Sequence, residues 1–252
     1  MTLPAAKPNT VTTTPNPNIV SFKDAYKAKH KSIPTPCRSS RDGNTTYRMD
    51  GTPLAQAADP IYDQETMDAI KEYLLTKSGR YGYRNYMIFV AGCNLGRRCG
   101  DILKLQVRDV WDAELGQVKS ESRYYDQKTK TYKYMYLKDG LRSAIKDYIF
   151  SLDNPEPETY LFASQKKNCK TGGIMLVSTF WEILHRVKED LDLNFHLSTH
   201  TMRKTAANDF CEVNGINDTC IMLGHKSPAM TMRYLKKENA QMREEMNAVP
   251  MR

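Results

Sequence analysis

The sequence predicts an α+β fold that is mainly α-helical, with a small three-stranded antiparallel sheet near its middle. Apolar residues recur at helical spacing, between capping residues, over most of residues 64–105 and 141–235. Between residues 106 and 137 the pattern changes to short alternating segments, with every second residue a tyrosine from Tyr132 to Tyr136. These two patterns together favour helices packed around one small sheet.

Length and charge limit the classes of protein. The 252 residues allow one or two domains, and they carry 37 Lys and Arg against 29 Asp and Glu. The resulting formal charge of +8 favours a polyanionic partner such as nucleic acid. No apolar run approaches the roughly 20 residues of a membrane span, and the N-terminus lacks a signal-peptide pattern. We therefore expect a cytoplasmic protein without a membrane partner, and six reduced cysteines without a zinc site.

The first part of the chain differs in composition from the rest. Residues 1–58 begin with a Pro/Thr/Asn-rich run, for which we expect no stable structure, and include one predicted short basic helix from Ser21 to Lys31. Ordered helices are expected after Asp59-Pro60. The predicted organisation is a largely disordered N-terminal segment over residues 1–58 and a folded domain with a helical C-terminal tail over residues 59–252.

The folded domain is predicted to start with three helices. Asp63 is the predicted N-cap of a helix from Gln64 to Lys77. A second helix, from about Tyr83 to Cys93, is apolar over most of its surface and is predicted to lie in the core. Asn94-Leu95-Gly96 ends it, and a short helix is predicted from Cys99 to Leu105.

The predicted sheet and two more helices follow. Gly116 and a polar turn from Gln127 to Lys130 separate the three strand-like segments. Helices are then predicted from Leu141 to Ser151 and from Val177 to Leu191. The basic loop at residues 166–173 between them is interpreted equally well as a phosphate contact or as a solvated connection.

The stretch from His200 to Tyr234 has the composition of an active site. Thr199 is the predicted cap of a helix from His200 to Val213, which Asn214-Gly215 ends. His200 and Arg203 are three residues apart, so both lie on one helix face and can serve one small anionic group.

A tight corner and a last helix complete this stretch. A short helix from Thr219 to Leu223 is predicted to end at Gly224, which places His225 in the corner. Ser227 and Pro228 start a further helix. Tyr234 lies on that helix, nine residues after His225, so the two side chains can meet at one site.

Each of these residues alone is commonly a packing residue or a surface charge. The joint pattern His-x-x-Arg, Leu-Gly-His and Tyr, however, resembles the tyrosine recombinase (phage integrase) family. A second point of resemblance is the segment Gly96-Arg97-Arg98-Cys99-Gly100-Asp101-Ile102, which is similar to the family's Gly-x-Arg followed by an acid and an aliphatic residue. In that register Arg98 is the catalytic arginine, Arg97 is the competing assignment, and Asp101 stands where glutamate is usual.

The resemblance also implies a catalytic lysine in a hairpin turn. The matching Lys-Thr dipeptide is Lys128-Thr129, in the turn between the second and third predicted strands. A solvated turn lysine is the ordinary alternative for Lys128, and Lys130 or Lys133 are the other candidates for the catalytic role.

The chemistry that the resemblance implies is DNA cleavage and rejoining through a 3′-phosphotyrosine at Tyr234, without metal, ATP or other cofactor. Two arginines would hold the phosphate oxygens, and His225 would donate a hydrogen bond to them. His200 would take or orient the tyrosine proton, and Lys128 would protonate the departing 5′ hydroxyl. The candidate catalytic residues are Arg98, Lys128, His200, Arg203, His225 and Tyr234.

The expected partner is double-stranded DNA, bound by a homotetramer that exchanges strands through a Holliday junction. Accessory DNA-bending or directionality proteins are also expected, and the family is common in phages and mobile elements. Family members usually carry a helical core-binding domain before the catalytic domain, for which residues 1–58 are too short and too polar. Two other functions remain open: DNA relaxation like that of a type IB topoisomerase, and a non-catalytic DNA-binding regulator with the same fold.

Overall fold

The computed structural model describes residues 58–153, 155–164 and 173–235. Three predicted features lie outside these residues: the N-terminal segment with its basic helix, nearly all of the basic loop at 166–173, and the tail after the last helix. The predicted division into a segment over residues 1–58 and a domain over residues 59–252 therefore stays a prediction.

The first two helices follow the predicted caps. Helix α1 spans Gln64–Lys77, and the Asp63 side chain accepts a hydrogen bond from a first-turn N–H at 2.7 Å. This bond satisfies one of the N–H groups that have no partner inside the helix. A 3-10 turn, Gly79–Tyr81, leads to helix α2, Gly82–Leu95. Gly96 ends α2 in the left-handed conformation, with φ 60°.

Two single-turn helices come next. Helix α3 spans Cys99–Ile102 and is shorter than predicted. Arg98 is its N-cap residue and has an extended backbone, with φ −66° and ψ 141°. Helix α4 spans Val107–Val110, where the Asp109 carboxylate accepts a hydrogen bond from the Gln106 N–H at 2.8 Å. Short helices at this point let the chain turn from α2 into the strands.

The described strands form two antiparallel pairs instead of one three-stranded sheet. Strand β1 (Trp111–Asp112) pairs with β2 (Gln117–Val118), and β3 (Glu121–Asp126) pairs with β4 (Thr131–Tyr136). The chain bends at residues 119–120, between β2 and β3. The two sides of the bend therefore take different partners, which is why the expected single sheet is divided.

Four helices make up the rest of the described domain. Helix α5 spans Asp139–Phe150, and α6 spans Val177–Leu191, as predicted. Helix α7 spans Thr199–Leu223, and α8 spans Pro228–Leu235. The cap of α7 is Ser198 and not Thr199, because the Ser198 hydroxyl accepts the hydrogen bond from a first-turn N–H.

Gly215 breaks helix α7 at the position where the sequence predicted a stop. Its φ of 80° and ψ of 177° are not helical, and this region of conformational space is open almost only to glycine. The two predicted helices are therefore joined at a break instead of being separated by a loop. Gly224 ends the second half in the left-handed conformation, with φ 67°, as predicted.

Helix α2 is central to the core and positions the site. It packs against α1, α5 and α7, and Met87, Ile88 and Phe89 are fully buried. At Gly92 a Cβ atom would lie 2.5 Å from the Met202 sulfur, so the bare backbone of α2 allows α7 to approach closely. The end of α2 and the start of α7 are thereby fixed against each other.

The mainly helical α+β class with small antiparallel sheets is confirmed. The four cysteines in the described part of the chain are free and buried. Within those same residues, no helix combines the length and apolar character that crossing a bilayer requires.

Candidate active site

Four of the six predicted catalytic residues line one open pocket. Arg98 comes from the start of α3, Lys128 from the turn between β3 and β4, and His200 and Arg203 from the first two turns of α7. Lys104 adds another cation to the lining. Elements that are far apart in sequence thus bring several positive charges to one place, which suits a phosphate group.

Arg203 connects this pocket to Tyr234 on helix α8. Its side chain is 4% exposed, and Nη2 donates a hydrogen bond to the Leu223 carbonyl oxygen at 2.9 Å. The guanidinium also lies close enough to Tyr234 to favour the phenolate. The Tyr234 hydroxyl is buried and makes no hydrogen bond of standard geometry within the described residues. The buried phenol oxygen of Tyr234 therefore lies beside a fixed cation.

Tyr234 holds its proton in the resting site. Burial raises the pKa of the Tyr234 phenol, and the charges of Arg203 and Arg98 oppose this rise without cancelling it. The Lys204 ammonium lies 5.0 Å from the centroid of the same ring. A nucleophilic attack by this oxygen therefore needs a group that takes the proton.

His225 contacts the same helix at two points. Its Nδ1 lies 2.9 Å from the Thr231 hydroxyl, and its ring is edge-on to Tyr234, with 5.4 Å between centroids and 82° between planes. Thr231 and Tyr234 are three residues apart and so lie on one face of α8. In the described part of the chain Nε2 of His225 has no hydrogen-bond partner, so that nitrogen is left for a ligand.

Both site histidines lose their protons more easily than usual. Burial lowers the pKa of His225, and nearby arginine and lysine cations lower it further. Burial is also the largest cause of the lowered pKa of His200, followed by the charges of Arg203 and Lys204. Near pH 7 both imidazoles are therefore neutral, and a neutral imidazole can accept a proton.

The two neighbouring arginines, which the sequence left as alternatives, have different contacts. Nη1 of Arg98 lies 3.0 and 2.9 Å from the two carboxylate oxygens of Asp126, and the side chain lines the pocket. Arg97 instead donates hydrogen bonds to the carbonyl oxygens of Met222 and Tyr134, both at 2.9 Å. Arg97 thus ties the end of α7 to β4, and Arg98 is the arginine that borders the pocket.

The three candidate lysines also differ. Lys133 forms an ion pair with the buried Asp126 carboxylate at 2.9 Å. Lys130 has a left-handed backbone, with φ 56°, and its N–H donates to the Asp126 carbonyl oxygen. Lys128 is exposed and lines the pocket. Of these three lysines, Lys128 is the one that lines the pocket with Arg98.

Sequence reasoning missed the acidic residue at the centre of these contacts. Asp126 is 1% exposed, and its Oδ1 accepts hydrogen bonds from the N–H groups of Lys128 and Thr129. An aspartate just before a polar turn is the signal that was available. Asp101, the other buried acid here, accepts a hydrogen bond from the Gln127 N–H at 3.2 Å. Within the described residues no group of three or more metal-ligating side chains converges on one point.

Fold and site together define a helical domain that gathers arginine, lysine and histidine around one pocket, with Tyr234 beside one of the pocket arginines. The model of the phage integrase family matches residues 62–241, well over half of the chain. The chain therefore belongs to the phage integrase, or tyrosine recombinase, family, whose members are DNA breaking and rejoining enzymes.

Individual relatives agree with this assignment. A probable integrase/recombinase of Bacillus subtilis (strain 168), YoeC, is 31% identical over 177 residues, which cover 70% of this chain and 88% of YoeC. The crystal structure of XerA recombinase superposes with a TM-score of 0.55 at 21% identity, over 77% of this chain and 67% of XerA. A lambda integrase tetramer bound to a Holliday junction gives a TM-score of 0.53 at 14% identity, over 72% of this chain and 49% of that one.

Proposed function

We propose that this protein is a site-specific DNA recombinase that cleaves and rejoins DNA through a 3′-phosphotyrosyl intermediate at Tyr234. The observation that carries this proposal is the buried Tyr234 hydroxyl beside Arg203. Arg203 in turn lines the pocket together with Arg98, Lys128 and His200. A nucleophile, positive charge and neutral bases are the three parts that the reaction needs.

In the proposed step one bond to phosphorus forms, one bond to phosphorus breaks, and two protons are transferred. The Tyr234 oxygen attacks the phosphorus of a DNA phosphodiester, and the bond from phosphorus to the 5′ oxygen of the next nucleotide breaks. His200 takes or orients the tyrosine proton, and Lys128 supplies a proton to the departing 5′ oxygen. Arg98 and Arg203 stabilise the charge that builds on the non-bridging oxygens, and His225 donates a hydrogen bond to them.

Rejoining is the reverse of this step. The 5′ hydroxyl of the same or another strand attacks the phosphotyrosine and releases Tyr234. Because the energy of the broken bond is kept in the covalent link, the proposed reaction needs no ATP. The side-chain cations that line the pocket supply the positive charge, so the proposal requires no metal ion.

Double-stranded DNA is the proposed partner, bound by four copies of the chain. The family assignment and the net charge of +8 support DNA binding. The tetramer is supported by the lambda integrase assembly on a Holliday junction, which shares the fold. Accessory DNA-bending or directionality proteins and an origin in a phage or mobile element belong to the same proposal.

Covalent capture tests the proposal and finds the target. The full chain is incubated with a pool of nicked duplexes that have randomised cores, and adducts that survive denaturation are recovered, sequenced and mapped by peptide mass spectrometry. We expect attachment at Tyr234, and we expect Tyr234→Phe to bind the recovered duplex with unchanged affinity and to form no adduct. An adduct that persists in Tyr234→Phe would show that another residue is the nucleophile.

The same duplex separates the alternative functions. A recombinase exchanges strands between two copies of the recovered site, whereas a type IB topoisomerase relaxes supercoiled DNA without exchanging strands. A non-catalytic regulator binds DNA and forms no adduct in the wild-type chain. Either of these two results would reject the proposed recombinase.

A further inference from the structure

Asp126 holds together the groups that the proposed reaction places at the phosphate. Its Oδ1 accepts hydrogen bonds from Nη1 of Arg98 and from the N–H groups of Lys128 and Thr129, at 2.9 to 3.0 Å. Its Oδ2 accepts from Arg98 and from the Lys133 ammonium, both at 2.9 Å. One buried carboxylate thus contacts an arginine of the pocket and the turn that carries the pocket lysine.

The contact with Arg98 leaves most of that guanidinium unused. Asp126 engages Nη1, and Asp101 lies 4.0 Å from the same nitrogen. Within the described residues, Nε and Nη2 of Arg98 make no hydrogen bond, and the side chain is 27% exposed. Asp126 therefore fixes the arginine from one side while paired donors remain for a phosphate.

A second link runs through Lys133 to the corner that carries His225. The Lys133 ammonium packs against the backbone of Gly224, where a Cβ atom would lie 2.7 Å from Nζ. Gly224 directly precedes His225. Asp126 thus reaches three segments of the site: the start of α3, the turn between β3 and β4, and the corner after α7.

The charge of Asp126 is stable. Burial alone would raise the pKa of this carboxyl, but the hydrogen bonds from Lys133 and the turn, together with Arg98, outweigh burial and hold the pKa well below its usual range. The carboxyl of Asp126 is therefore ionised at neutral pH.

We propose that Asp126 is a positioning residue for DNA cleavage, which sets the places of Arg98 and of the Lys128 turn without touching the DNA. This inference rests on the proposed function of the same site. It also makes Lys133 a structural counter-ion and leaves Lys128 as the proton donor. Such supporting contacts matter because they preorganise the cations. The charged groups then need no rearrangement, with its cost in free energy, during the reaction.

The chain offers a matched control at its other hairpin. Asp112 accepts hydrogen bonds from the N–H groups of Glu114 and Leu115, both at 3.0 Å, two and three residues on. Asp126 makes the same pair of bonds to its own turn, at 2.9 and 3.0 Å. Asp112→Ala therefore removes the same type of turn contact at a place without pocket cations.

The experiment compares Asp126→Asn, Asp126→Ala and Asp112→Ala in the full chain. Single-turnover cleavage and duplex affinity are measured with the recovered nicked duplex, and amide hydrogen exchange is measured on the free protein. We expect Asp126→Asn, which keeps the shape and loses the charge, to slow cleavage by roughly 10- to 100-fold with affinity changed less than about twofold. Asp126→Ala should also speed amide exchange at Lys128 and Thr129. Asp112→Ala should speed exchange at Glu114 and Leu115 and leave cleavage unchanged.

The outcomes separate this inference from the proposed function. Wild-type cleavage by Asp126→Asn overturns the positioning role, as does a loss of affinity that matches the loss of rate. If the wild-type chain forms no adduct with any duplex, the proposed function fails. In that case amide hydrogen exchange decides about Asp126. If exchange at Lys128 and Thr129 is unchanged in Asp126→Ala, the positioning role is also overturned. Faster exchange at these residues supports the conclusion that Asp126 holds the turn in place.

Discussion

At the scale of single residues, two adjacent arginines have separate tasks. Arg98 borders the pocket, where it contacts Asp126, and Arg97 joins the ends of two distant elements through the carbonyl oxygens of Met222 and Tyr134. Of these two arginines, Arg98 is the one whose side chain lines the pocket, whereas Arg97 holds the end of α7 against β4.

We predict that alanine at Arg98 affects mainly the rate of cleavage and that alanine at Arg97 affects mainly the stability of the fold. Arg98→Ala should slow adduct formation by at least about 100-fold, because a donor to the developing charge is lost. Arg97→Ala should lower the free energy of unfolding by about 1–3 kcal/mol, because two carbonyl oxygens lose a charged donor. Single-turnover cleavage and urea denaturation of both variants measure the two effects.

Each of these two variants is the control for the other, because both measurements are made on both. If Arg97→Ala abolished cleavage in a chain of wild-type stability while Arg98→Ala still cleaved, the assignment of the two arginines would have to be exchanged.

At the scale of elements, the break in α7 decides where its second half lies. Gly215 has a backbone conformation that other residues rarely adopt, and no atom lies within 4 Å of the place that a Cβ would take. The segment after the break ends at Leu223 and Gly224, the first of which accepts the Arg203 hydrogen bond. The break therefore directs the corner with His225 back toward the start of the same helix.

We predict that Gly215→Ala lowers the free energy of unfolding by about 1–3 kcal/mol through backbone strain alone. Gly140→Ala is the matched control, because Gly140 lies in α5, has equal space for a Cβ and has no positive φ. That control should be neutral or stabilising by up to about 1 kcal/mol. Urea denaturation curves of both variants test this, and equal stability of the two would contradict the strain argument.

The sequence was sufficient for elements whose ends are set by local chemistry. Helices α1 and α6 have the predicted bounds, and Gly96 and Gly224 have the positive φ that a helix end after glycine implies. Such features depend on a few consecutive residues, which a sequence shows directly.

Features that depend on distant contacts were not predicted. The division of the sheet follows from a bend at residues 119–120 that carries no glycine or proline signal. The residue types of the pocket and the assignment of Arg98 came from the resemblance, but the different contacts of Arg97 and Arg98 span 125 and 28 residues and were not predicted. The central place of Asp126 was likewise visible only when α3 and the hairpin were brought together.

At the scale of the whole molecule, three histidines with lowered pKa link stability to pH. Burial is the largest cause of the lowered pKa of His196, His200 and His225, and nearby positive charges add to it in each case. Between the lowered folded pKa and the ordinary value near 6.5, the unfolded chain binds more protons than the folded one. Acid therefore favours unfolding in that window.

We predict that the thermal midpoint falls as the pH is lowered from 7.5 to 5.5, and that replacing these three histidines with glutamine reduces this dependence. Burial raises the pKa of Asp101 and Asp209, which acts in the opposite direction, because the folded chain then takes up protons first. Their contribution lies toward the more acidic end. Differential scanning calorimetry across this pH range is the measurement, and an equal slope in the substituted chain would reject the histidine origin.

The enclosed hydroxyl of Tyr234 also decides how this side chain meets small reagents. Oxidants and nitrating agents reach exposed phenols, and the hairpin presents three exposed rings, Tyr132, Tyr134 and Tyr136, which are 65%, 53% and 70% exposed. Tyr234 has its oxygen shut away from solvent and its proton held by burial. Such reagents should therefore modify exposed tyrosines such as those of the hairpin before they modify Tyr234, the residue proposed to cut DNA.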